Sequence, residues 1–390
     1  MHNCRSEDPF IHTRYRVLFY SRKRSTMLVS LKDYAASHHR SPDTIRRLAE
    51  QGKLVSAHKI GRNWVVDSKE AYPGSQRKWK IVSLFAGCGG LDLGFLGGFE
   101  FLGTTYTNLP FEIIWANELN PAACKTYRQN IGEVITGDIN EVIDTIPKNA
   151  DVVIGGFPCQ DISINGKMRG IKGERSSLYT AIVDAVRRCN PKVFVAENVG
   201  SLLLKSNSDS FRKITEDFGS LGYQLNVHRY DASKYGVPQT RDRVFIVGVR
   251  DGSGVFIPPS ETTAKKPITA KEAIDDLANH PWDEEFSHIW SKAKRSSEQG
   301  NRHLIAERPG YTIRAECHGN IQYHYSLPRR ISMREAARIQ SFPDTFKFMS
   351  KLRETERQIG NAVPPVLAWQ LAKSVAMTLG GSVKDESGEL

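Results

Sequence analysis

The stretch SLFAGCGGL occupies residues 83–91 and joins a strand pattern to a helix pattern. It overlaps the end of the apolar run Ile81 to Phe85, and its glycines would let a nucleotide-like ligand approach the backbone closely. Glu118 ends the next apolar run, where a carboxylate can accept hydrogen bonds from ribose hydroxyls, and Asp138 ends the third. This order predicts an α/β fold with a site for an adenosine-containing cofactor, either NAD or S-adenosylmethionine.

Apolar runs alternate with amphipathic stretches between residues 80 and 250, which is typical of an α/β domain. Residues 251–327 interrupt this alternation because they are rich in Pro, Ser, His and Lys. Helical patterns return from about Met333 to Gln340 and from about Pro365 to Leu379. The predicted strands are Ile81 to Phe85, Ile113 to Asn117, Val134 to Thr136, Val152 to Ile154, Val193 to Glu197, Leu225 to Arg229 and Val244 to Val249.

The chain has 390 residues, 39% of them hydrophobic, and a formal net charge of +11. Most of this excess lies at the front, where residues 1–80 contain 17 Lys and Arg against 7 Asp and Glu. A basic front segment predicts contact with a polyanion, and a solvated basic tail is the alternative. No apolar run approaches the ~20 residues of a membrane span, so we expect a cytoplasmic protein that contacts no membrane. The six cysteines occur singly, which predicts free thiols and no metal site.

Residues 27–76 carry the pattern of two short helices followed by a hairpin. Ser30 and Ser41 are the predicted N-caps, and Pro42 takes the first position of the second helix. Two apolar runs then flank Gly61-Arg62, as they do around a hairpin turn.

This pattern resembles the small winged helix-turn-helix modules of excisionase and MerR-type regulators. The resemblance implies DNA contacts from Arg46 and Arg47 on the second helix. A helical hairpin that only packs on the rest of the protein is the alternative. Residues 1–26 are expected to form a basic flexible arm, and Met27 is an alternative start of the chain.

A second glycine-containing stretch, GGFPCQ, covers residues 155–160 and comes after the apolar run Asp151 to Ile154. The proline fixes its own backbone angle, and the two glycines allow the backbone to approach a flat substrate. A strand end of this kind would present a nucleophilic sulfur, here that of Cys159. The stretch alone proves little, because a single cysteine is more often a small buried side chain than a reagent.

Eight motifs stand in order along the chain, and they are FAGCGG (85–90), Glu118, Asp138, GGFPCQ (155–160), ENV (197–199), QTRDR (239–243), RISMREAARIQSFPD (330–344) and GNAVPP (360–365). Together they resemble a DNA (cytosine-5)-methyltransferase from about Lys80 to Leu379. The resemblance implies a Rossmann-like S-adenosylmethionine-dependent methyltransferase fold with a small target-recognition domain. It also implies double-stranded DNA as substrate, S-adenosyl-L-methionine as cofactor and S-adenosyl-L-homocysteine as product.

Cytosine C5 is too weak a nucleophile to attack a sulfonium methyl group, so a thiolate must first add to C6. Cys159 is the candidate for that addition. By the resemblance, Glu197 holds or protonates the ring N3, Arg243 contacts the cytosine O2, and Arg241 is a neighbouring anchor. A carboxyl group screened from water would have a raised pKa and could donate the proton. Without the cysteine motif, the same residues would be an ordinary strand-end acid and a surface pair of arginines.

The resemblance places further residues around the cofactor. For Asp138 and Asn361 the alternative is a turn-capping role, and for Leu178 it is a core residue at the start of a helix. The expected cofactor-binding residues are Phe85, Gly87, Gly89, Gly90, Leu91, Glu118, Asp138, Pro158, Leu178, Asn361 and Ala362.

The target base must leave the duplex stack, because C6 cannot be reached inside it. Residues 163–176 combine glycines with four basic side chains, which predicts a mobile loop that closes over DNA, with a plain exposed loop as the alternative. Residues 251–327 are expected to select the target sequence, and Arg334 and Glu335 to be structural. The expected DNA-binding residues are Gln160, Ser163, Lys167, Arg169, Arg175, Gln239, Thr312, Arg314, Arg46 and Arg47.

These features predict a monomeric, nucleoid-associated bacterial enzyme of the restriction-modification type. A cognate restriction endonuclease would act on the same site without a stable complex, and the N-terminal module would bind DNA and repress its own promoter. Methylation of tRNA cytosine, a transcription regulator with an inactive methyltransferase body, and a dehydrogenase are the alternatives. The predicted segments are 1–26 (arm), 27–76 (helix-turn-helix), 77–250 (catalytic domain), 251–327 (target recognition) and 328–390 (C-terminal return to the catalytic domain).

Overall fold

The computed structural model describes residues 27–38, 40–68, 70, 78–157, 178–292, 302–315 and 322–381. The chain divides into two compact units, residues 1–77 and residues 78–390. Among the helices in the described ranges, none has both the length and the apolar character needed to cross a membrane.

The first unit contains two helices and a three-stranded antiparallel sheet. In order these are β1 (Leu28–Ser30), α1 (Leu31–Ser37), α2 (Pro42–Glu50), β2 (His58–Ile60) and β3 (Asn63–Asp67), and the sheet order is β1-β3-β2. The Oγ atoms of the two predicted N-cap serines accept hydrogen bonds from the backbone N–H three residues on, at 3.1 and 3.2 Å. Both helices and the hairpin therefore form where the sequence predicts them, and β1 is an additional strand.

The second unit contains a seven-stranded sheet, a small hairpin and nine α-helices among its described residues. They are β4 (Trp79–Leu84), α3 (Gly90–Leu96), β5 (Phe99–Phe101), β6 (Thr104–Tyr106), β7 (Phe111–Glu118), α4 (Pro121–Asn130), β8 (Ile135–Thr136), α5 (Ile139–Val142), β9 (Val152–Gly156), α6 (Leu178–Cys189), β10 (Val193–Val199), α7 (Ser208–Gly219), β11 (Tyr223–Asp231), β12 (Asp242–Arg250), α8 (Ala270–Ile274), α9 (Met333–Ile339), α10 (Leu352–Asn361) and α11 (Pro365–Thr378).

The sheet has the order β11-β12-β10-β9-β4-β7-β8. Strands β10, β9, β4, β7 and β8 are parallel, and β12 and β11 add an antiparallel pair at one side. The carboxyl ends of the parallel strands therefore meet at one edge, which is where an open α/β sheet binds its ligand. All seven predicted strands are confirmed, and their ends differ from the predicted ones by at most two residues.

Apolar side chains cover both faces of this sheet. On one face α3, α11 and the β5–β6 hairpin bury Phe95, Tyr106 and Trp369. On the other face α6 and α7 pack around Phe194 and Phe218, whose ring centroids are 4.6 Å apart. Burying one phenylalanine contributes about 1.5–3 kcal/mol, so these two layers hold in place the strand ends that carry the site.

In the second unit, the β5–β6 hairpin and α10 are not visible in the sequence patterns. The strands of the β5–β6 hairpin have only three residues each, too few for an alternating pattern. Helix α10 lies in the strongly polar stretch LRETERQIGN and begins without a side-chain cap. Within the described part of residues 251–327, α8 is the one α-helix, in agreement with the irregular composition of this segment.

Candidate active site

The Glu118 carboxylate at the end of β7 organises the cofactor edge of the sheet. Gly87 N–H donates to its Oε2 and Asn120 N–H to its Oε1, each at 2.8 Å. The glycine has a φ of +58°, and a Cβ built on it would meet nothing within 4 Å. The loop after β4 therefore faces open space beside a carboxylate with acceptor lone pairs to spare. This arrangement suits the ribose hydroxyls of an adenosine-containing ligand.

The glycine-rich loop touches the segment that comes after α10. A Cβ on Gly90 would lie 2.5 Å from Val363 O and 3.1 Å from the Cβ of Ala362. The first distance is too short for any side chain, so the contact requires glycine at position 90. The structure thus brings together two predicted cofactor segments, residues 85–91 and residues 361–362.

The remaining predicted cofactor residues differ in backbone conformation and in solvent exposure. Phe85 has a left-handed φ of +55°, and Leu91 is buried in the core. Asp138 is exposed, and its Oδ1 caps α5 by accepting from the backbone N–H two residues on at 2.8 Å. Asn361 is exposed at the end of α10, whereas Leu178 is half-buried against the core at the start of α6. One carboxylate oxygen of Asp138, Oδ1, therefore has the turn-capping role that is the alternative to cofactor binding.

Leu119, directly after Glu118, was not among the predicted site residues. The residue is 65% exposed although its side chain is apolar. An apolar surface beside an acceptor carboxylate suits the flat face of a purine, because binding sites pair apolar walls with a few polar groups. Its only signal in the sequence is its position immediately after the acid that ends a strand.

Glu197 and Arg243 form a buried ion pair over the end of β9. Arg243 Nε lies 2.7 Å from Glu197 Oε1, and the two side chains are 10% and 11% exposed. A Cβ on Gly156 would lie 2.7 Å from the other carboxylate oxygen, Oε2. Gly156 is also the partner of Glu197 in the parallel register of β9 and β10. The ion pair therefore sits at the strand end that leads to Cys159.

Burial raises the pKa of the Glu197 carboxyl group above its ordinary value, and Arg243 and Arg241 oppose that shift. Burial lowers the pKa of the Arg243 guanidinium, against the attraction of Glu197 and Asp242. A carboxyl group with a raised pKa keeps its proton to higher pH and can donate it to a ring nitrogen. Burial thus lets Glu197 hold a proton to higher pH than an exposed carboxyl group does, while its contact with Arg243 favours the ionised form.

Arg241 is fully buried and binds the backbone of two other segments. Its guanidinium donates to the carbonyl oxygens of Ile313 at 2.8 Å, Gly360 at 2.6 Å and Ala362 at 3.0 Å. These carbonyls belong to the region predicted to select the target and to the segment around the end of α10. Arg241 therefore anchors the segments that surround the site.

The predicted contact of Gln239 with DNA is wrong. Its side chain is 0% exposed. The Oε1 atom accepts from Ile313 N–H at 2.9 Å, and Nε2 donates to Ile339 O at 3.2 Å and also contacts Gln340 Oε1. Because both ends of the amide are bonded inside the protein, Gln239 joins the segment around Ile313 to α9 and is not available to a nucleic acid.

The other described DNA-binding candidates are more open. Thr312 is half-buried and its Oγ1 donates to Thr240 O at 2.7 Å, while Arg314, two residues on, is exposed. In the first unit Arg46 and Arg47 are exposed on α2. These three arginines have the access to solvent that contact with DNA requires.

Seven predicted site residues fall between positions 158 and 177, which lie outside the described residues. They are Pro158, Cys159, Gln160, Ser163, Lys167, Arg169 and Arg175.

The sequence matches the family model of the C-5 cytosine-specific DNA methylases over residues 79–320 and 287–377. The chain belongs to this family. It is therefore a DNA (cytosine-5)-methyltransferase, which confirms the predicted activity and removes the dehydrogenase alternative. All the matched residues lie in the second unit.

Relatives and solved structures resemble this methyltransferase over most of its length. The Type II methyltransferase M.NgoFVII of Neisseria gonorrhoeae is 38% identical over 338 residues, which cover 77% of this chain and 87% of the relative. M.BbvI of Brevibacillus brevis is 34% identical over 342 residues, covering 77% and 91%.

Two solved structures share the fold. A DNA modification methyltransferase encoded within an Escherichia coli prophage has a TM-score of 0.57 and 22% identity, and the match covers 78% of this chain and 100% of that one. Spodoptera frugiperda DNMT2 has a TM-score of 0.56 and 16% identity, with 76% and 99% covered. These matches confirm the Rossmann-like methyltransferase fold.

Proposed function

We propose that this methyltransferase acts on a cytosine flipped out of double-stranded DNA, using S-adenosyl-L-methionine and a transient bond from Cys159 to the ring C6. The observation that carries the proposal is the buried pair of Glu197 and Arg243, set over Gly156 three residues before Cys159. A proton donor and a cation lie where the chain leaves the sheet toward the thiol.

The cofactor would lie in the cradle between Gly87 and Glu118, beside Leu119 and Asn361. These residues fit it, because the carboxylate can accept from ribose hydroxyls, the loop leaves open space, and the exposed leucine suits a purine. When bound, S-adenosyl-L-methionine supplies an electrophilic methyl group and leaves as S-adenosyl-L-homocysteine. Two backbone N–H groups hold the Glu118 carboxylate in its orientation before any ligand arrives.

The reaction would begin with addition of the Cys159 thiolate to C6. Addition forms the C6–S bond and places negative charge on the ring, which Glu197 offsets by giving its proton to N3. Arg243 would bind the O2 oxygen. Once C5 carries the methyl group, a base removes the C5 proton, the C6–S bond breaks and the N3 proton returns to Glu197. The Cys159 thiolate and the protonated Glu197 are thereby restored for the next cycle.

DNA would be held by cations around this site. Lys167, Arg169 and Arg175 would contact phosphates while the target base is out of the stack. Moving the base out of the stack costs on the order of a few kcal/mol. Arg314, exposed beside the segment that Arg241 anchors, would reach a base edge.

We infer that the protein is the modification enzyme of a restriction-modification system, since M.NgoFVII and M.BbvI are Type II methyltransferases. It would act as a monomer in the cytoplasm at the nucleoid, and a cognate endonuclease would recognise the same site without a stable complex.

The N-terminal unit would add a second DNA contact and repress the promoter of its own gene. The capped helix pair, the hairpin and the exposed Arg46 and Arg47 support this proposal. The doubly substituted Arg46→Ala, Arg47→Ala protein should bind promoter DNA at least about tenfold more weakly and still methylate a short cognate duplex. Glu50→Ala, on the same helix, is the control. Equal promoter binding by the double variant and the unchanged protein would end this part of the proposal.

Bisulfite sequencing tests the proposed reaction directly. The gene is expressed in a host without DNA methylation, and one short sequence motif should acquire protected cytosines. Cys159→Ser should erase the protection. Cys189→Ser is the matched control, because Cys189 is buried at the end of α6 with its Sγ 3.3 Å from Pro147 O, and it should leave the pattern intact. Protection that persists in Cys159→Ser contradicts the nucleophile assignment.

A further inference from the structure

The hydrogen-bond ladder between β9 and β10 changes at the residue before Pro158. Phe157 N–H donates to Glu197 O at 3.4 Å, which continues the parallel ladder. In a regular parallel pair the next bond would run from Val199 N–H to Phe157 O. The structure replaces that bond with the side chain of Asn198.

The amide of Asn198 is inserted between the two strands. Its Nδ2 donates to Phe157 O at 2.9 Å, and its Oδ1 accepts from Val199 N–H at 2.8 Å. The side chain is therefore a substitute for the missing rung, with one end on each strand. At 2% exposed, it has no water to take over either bond.

The inserted amide lies immediately before Pro158 and Cys159 in the chain. Pro158 has no N–H, so it cannot donate to the ladder. The Phe157 carbonyl is thus the last described backbone group before the proposed nucleophile, and a side chain holds it. The Phe157 ring is buried as well, with its centroid 6.1 Å from that of Tyr179. The chain therefore leaves the sheet from a fixed point.

The same amide links the segment of the proposed proton donor, Glu197, to the segment that leads to the proposed nucleophile, Cys159. Asn198 is the neighbour of Glu197 on β10, so a residue next to the proton donor also holds the strand that leads to Cys159. A shift of about 1 Å in a reacting group can lower a rate by about 10²-fold. Holding the Phe157 carbonyl would limit such shifts between the thiol and the acid.

We propose that Asn198 is a positioning residue for the attack of Cys159 on C6, through its bond to the Phe157 carbonyl. The inference rests on the proposed function, since it presupposes thiol addition. It predicts that loss of the donor slows addition while cofactor binding is unchanged.

Asn198→Asp tests this directly. The aspartate keeps the shape and the acceptor for Val199 N–H but turns a carboxylate oxygen toward the Phe157 carbonyl. Addition is measured by the release of tritium from C5 of a labelled cognate duplex, a readout of C6 addition that does not require methyl transfer. We expect release about 10²-fold slower than in the unchanged enzyme, with an unchanged dissociation constant for S-adenosyl-L-methionine.

Asn117→Asp is the matched control. Asn117 is equally buried, and its Nδ2 donates to two backbone carbonyls, Ile135 O at 3.1 Å and Gly137 O at 3.0 Å. The substitution should lower the melting temperature by a similar amount, yet tritium release should continue at nearly the normal rate. Equal slowing in both variants would mean that Asn198 has only a structural role, and the inference would be overturned.

A second variant covers the case in which Asn198→Asp does not fold. Val199 has a φ of −71°, which proline adopts without strain. Val199→Pro removes the N–H that holds Oδ1, and its ring pushes the Asn198 amide away from Phe157. Tritium release should again fall steeply with cofactor affinity retained, and a normal rate would overturn the inference. The unchanged enzyme separates the two hypotheses: if it releases no tritium and forms no adduct, the proposed covalent function fails, whereas normal release by a folded variant defeats only the role of Asn198.

Discussion

Gly156→Ala tests the site through the position of one carboxylate oxygen. Gly156 lies in β9 without a positive φ, so alanine is allowed there and steric contact is the main effect. The new Cβ would lie 2.7 Å from Glu197 Oε2, whereas ordinary contact begins at 3.4 Å. The carboxylate must therefore retreat by about 0.7 Å, and its 2.7 Å ion pair with Arg243 must lengthen or rotate. For a displacement of this size we expect the single-turnover rate constant of methyl transfer to fall about 10- to 10²-fold.

Single-turnover transfer of a tritiated methyl group to a cognate duplex measures this effect. The affinity for S-adenosyl-L-methionine, measured by calorimetry, should not change, because the cofactor cradle lies at Gly87 and Glu118. Gly219→Ala is the control, since a Cβ there meets nothing within 4 Å. A Gly156→Ala rate within about twofold of normal would refute the claim that the Glu197 carboxylate must occupy this position.

Three further predictions concern titration and packing. Because the pKa of Glu197 is raised, its protonated form persists to higher pH and activity should fall as pH rises through that pKa; Glu197→Gln should be about 10²–10⁴-fold slower and lack this pH-dependent fall in kcat. Gly90→Ala should weaken cofactor binding at least about tenfold, because the backbone oxygen of Val363 cannot turn away from a Cβ at 2.5 Å; an unchanged affinity in calorimetry would count against it. Burial raises the pKa of Glu356 to about 7, against Arg330 and Arg353, so the folded state loses stability as pH rises from 4.5 to 7. Glu356→Gln should therefore be more stable than the unchanged protein by about 1–3 kcal/mol at pH 8 in urea unfolding and no more stable at pH 4.5.

The sheet was predictable because its signals are local. Each parallel strand is a short apolar run. Glu118 ends β7 in the structure as the sequence predicts, and Glu197 lies two residues before the end of β10. The N-caps Ser30 and Ser41 are equally local, since their hydroxyls bond backbone groups three residues away. Patterns of this kind need no knowledge of distant contacts.

The parts that were missed depend on contacts between distant segments. The sequence pattern around Gln239, a polar residue in a basic motif, predicts a contact with DNA. In the fold its partners come from residues 313, 339 and 340, and the side chain is buried. The role of Asn198, the middle residue of ENV, has no signal in the sequence. The partner of its Nδ2 is the backbone carbonyl of Phe157, directly after a different strand. Such roles become visible only when the strands are paired.

A mass-spectrometric crosslinking experiment tests the central claim most directly. The methyltransferase is incubated with S-adenosyl-L-methionine and a cognate duplex that carries 5-fluorocytosine at the target position. Release of the enzyme requires a base to remove the C5 proton, and fluorine at C5 cannot be removed in this way. We predict a stable complex of protein and DNA whose crosslinked peptide contains Cys159. The absence of any stable complex, or attachment of the DNA to a different residue, would contradict the account.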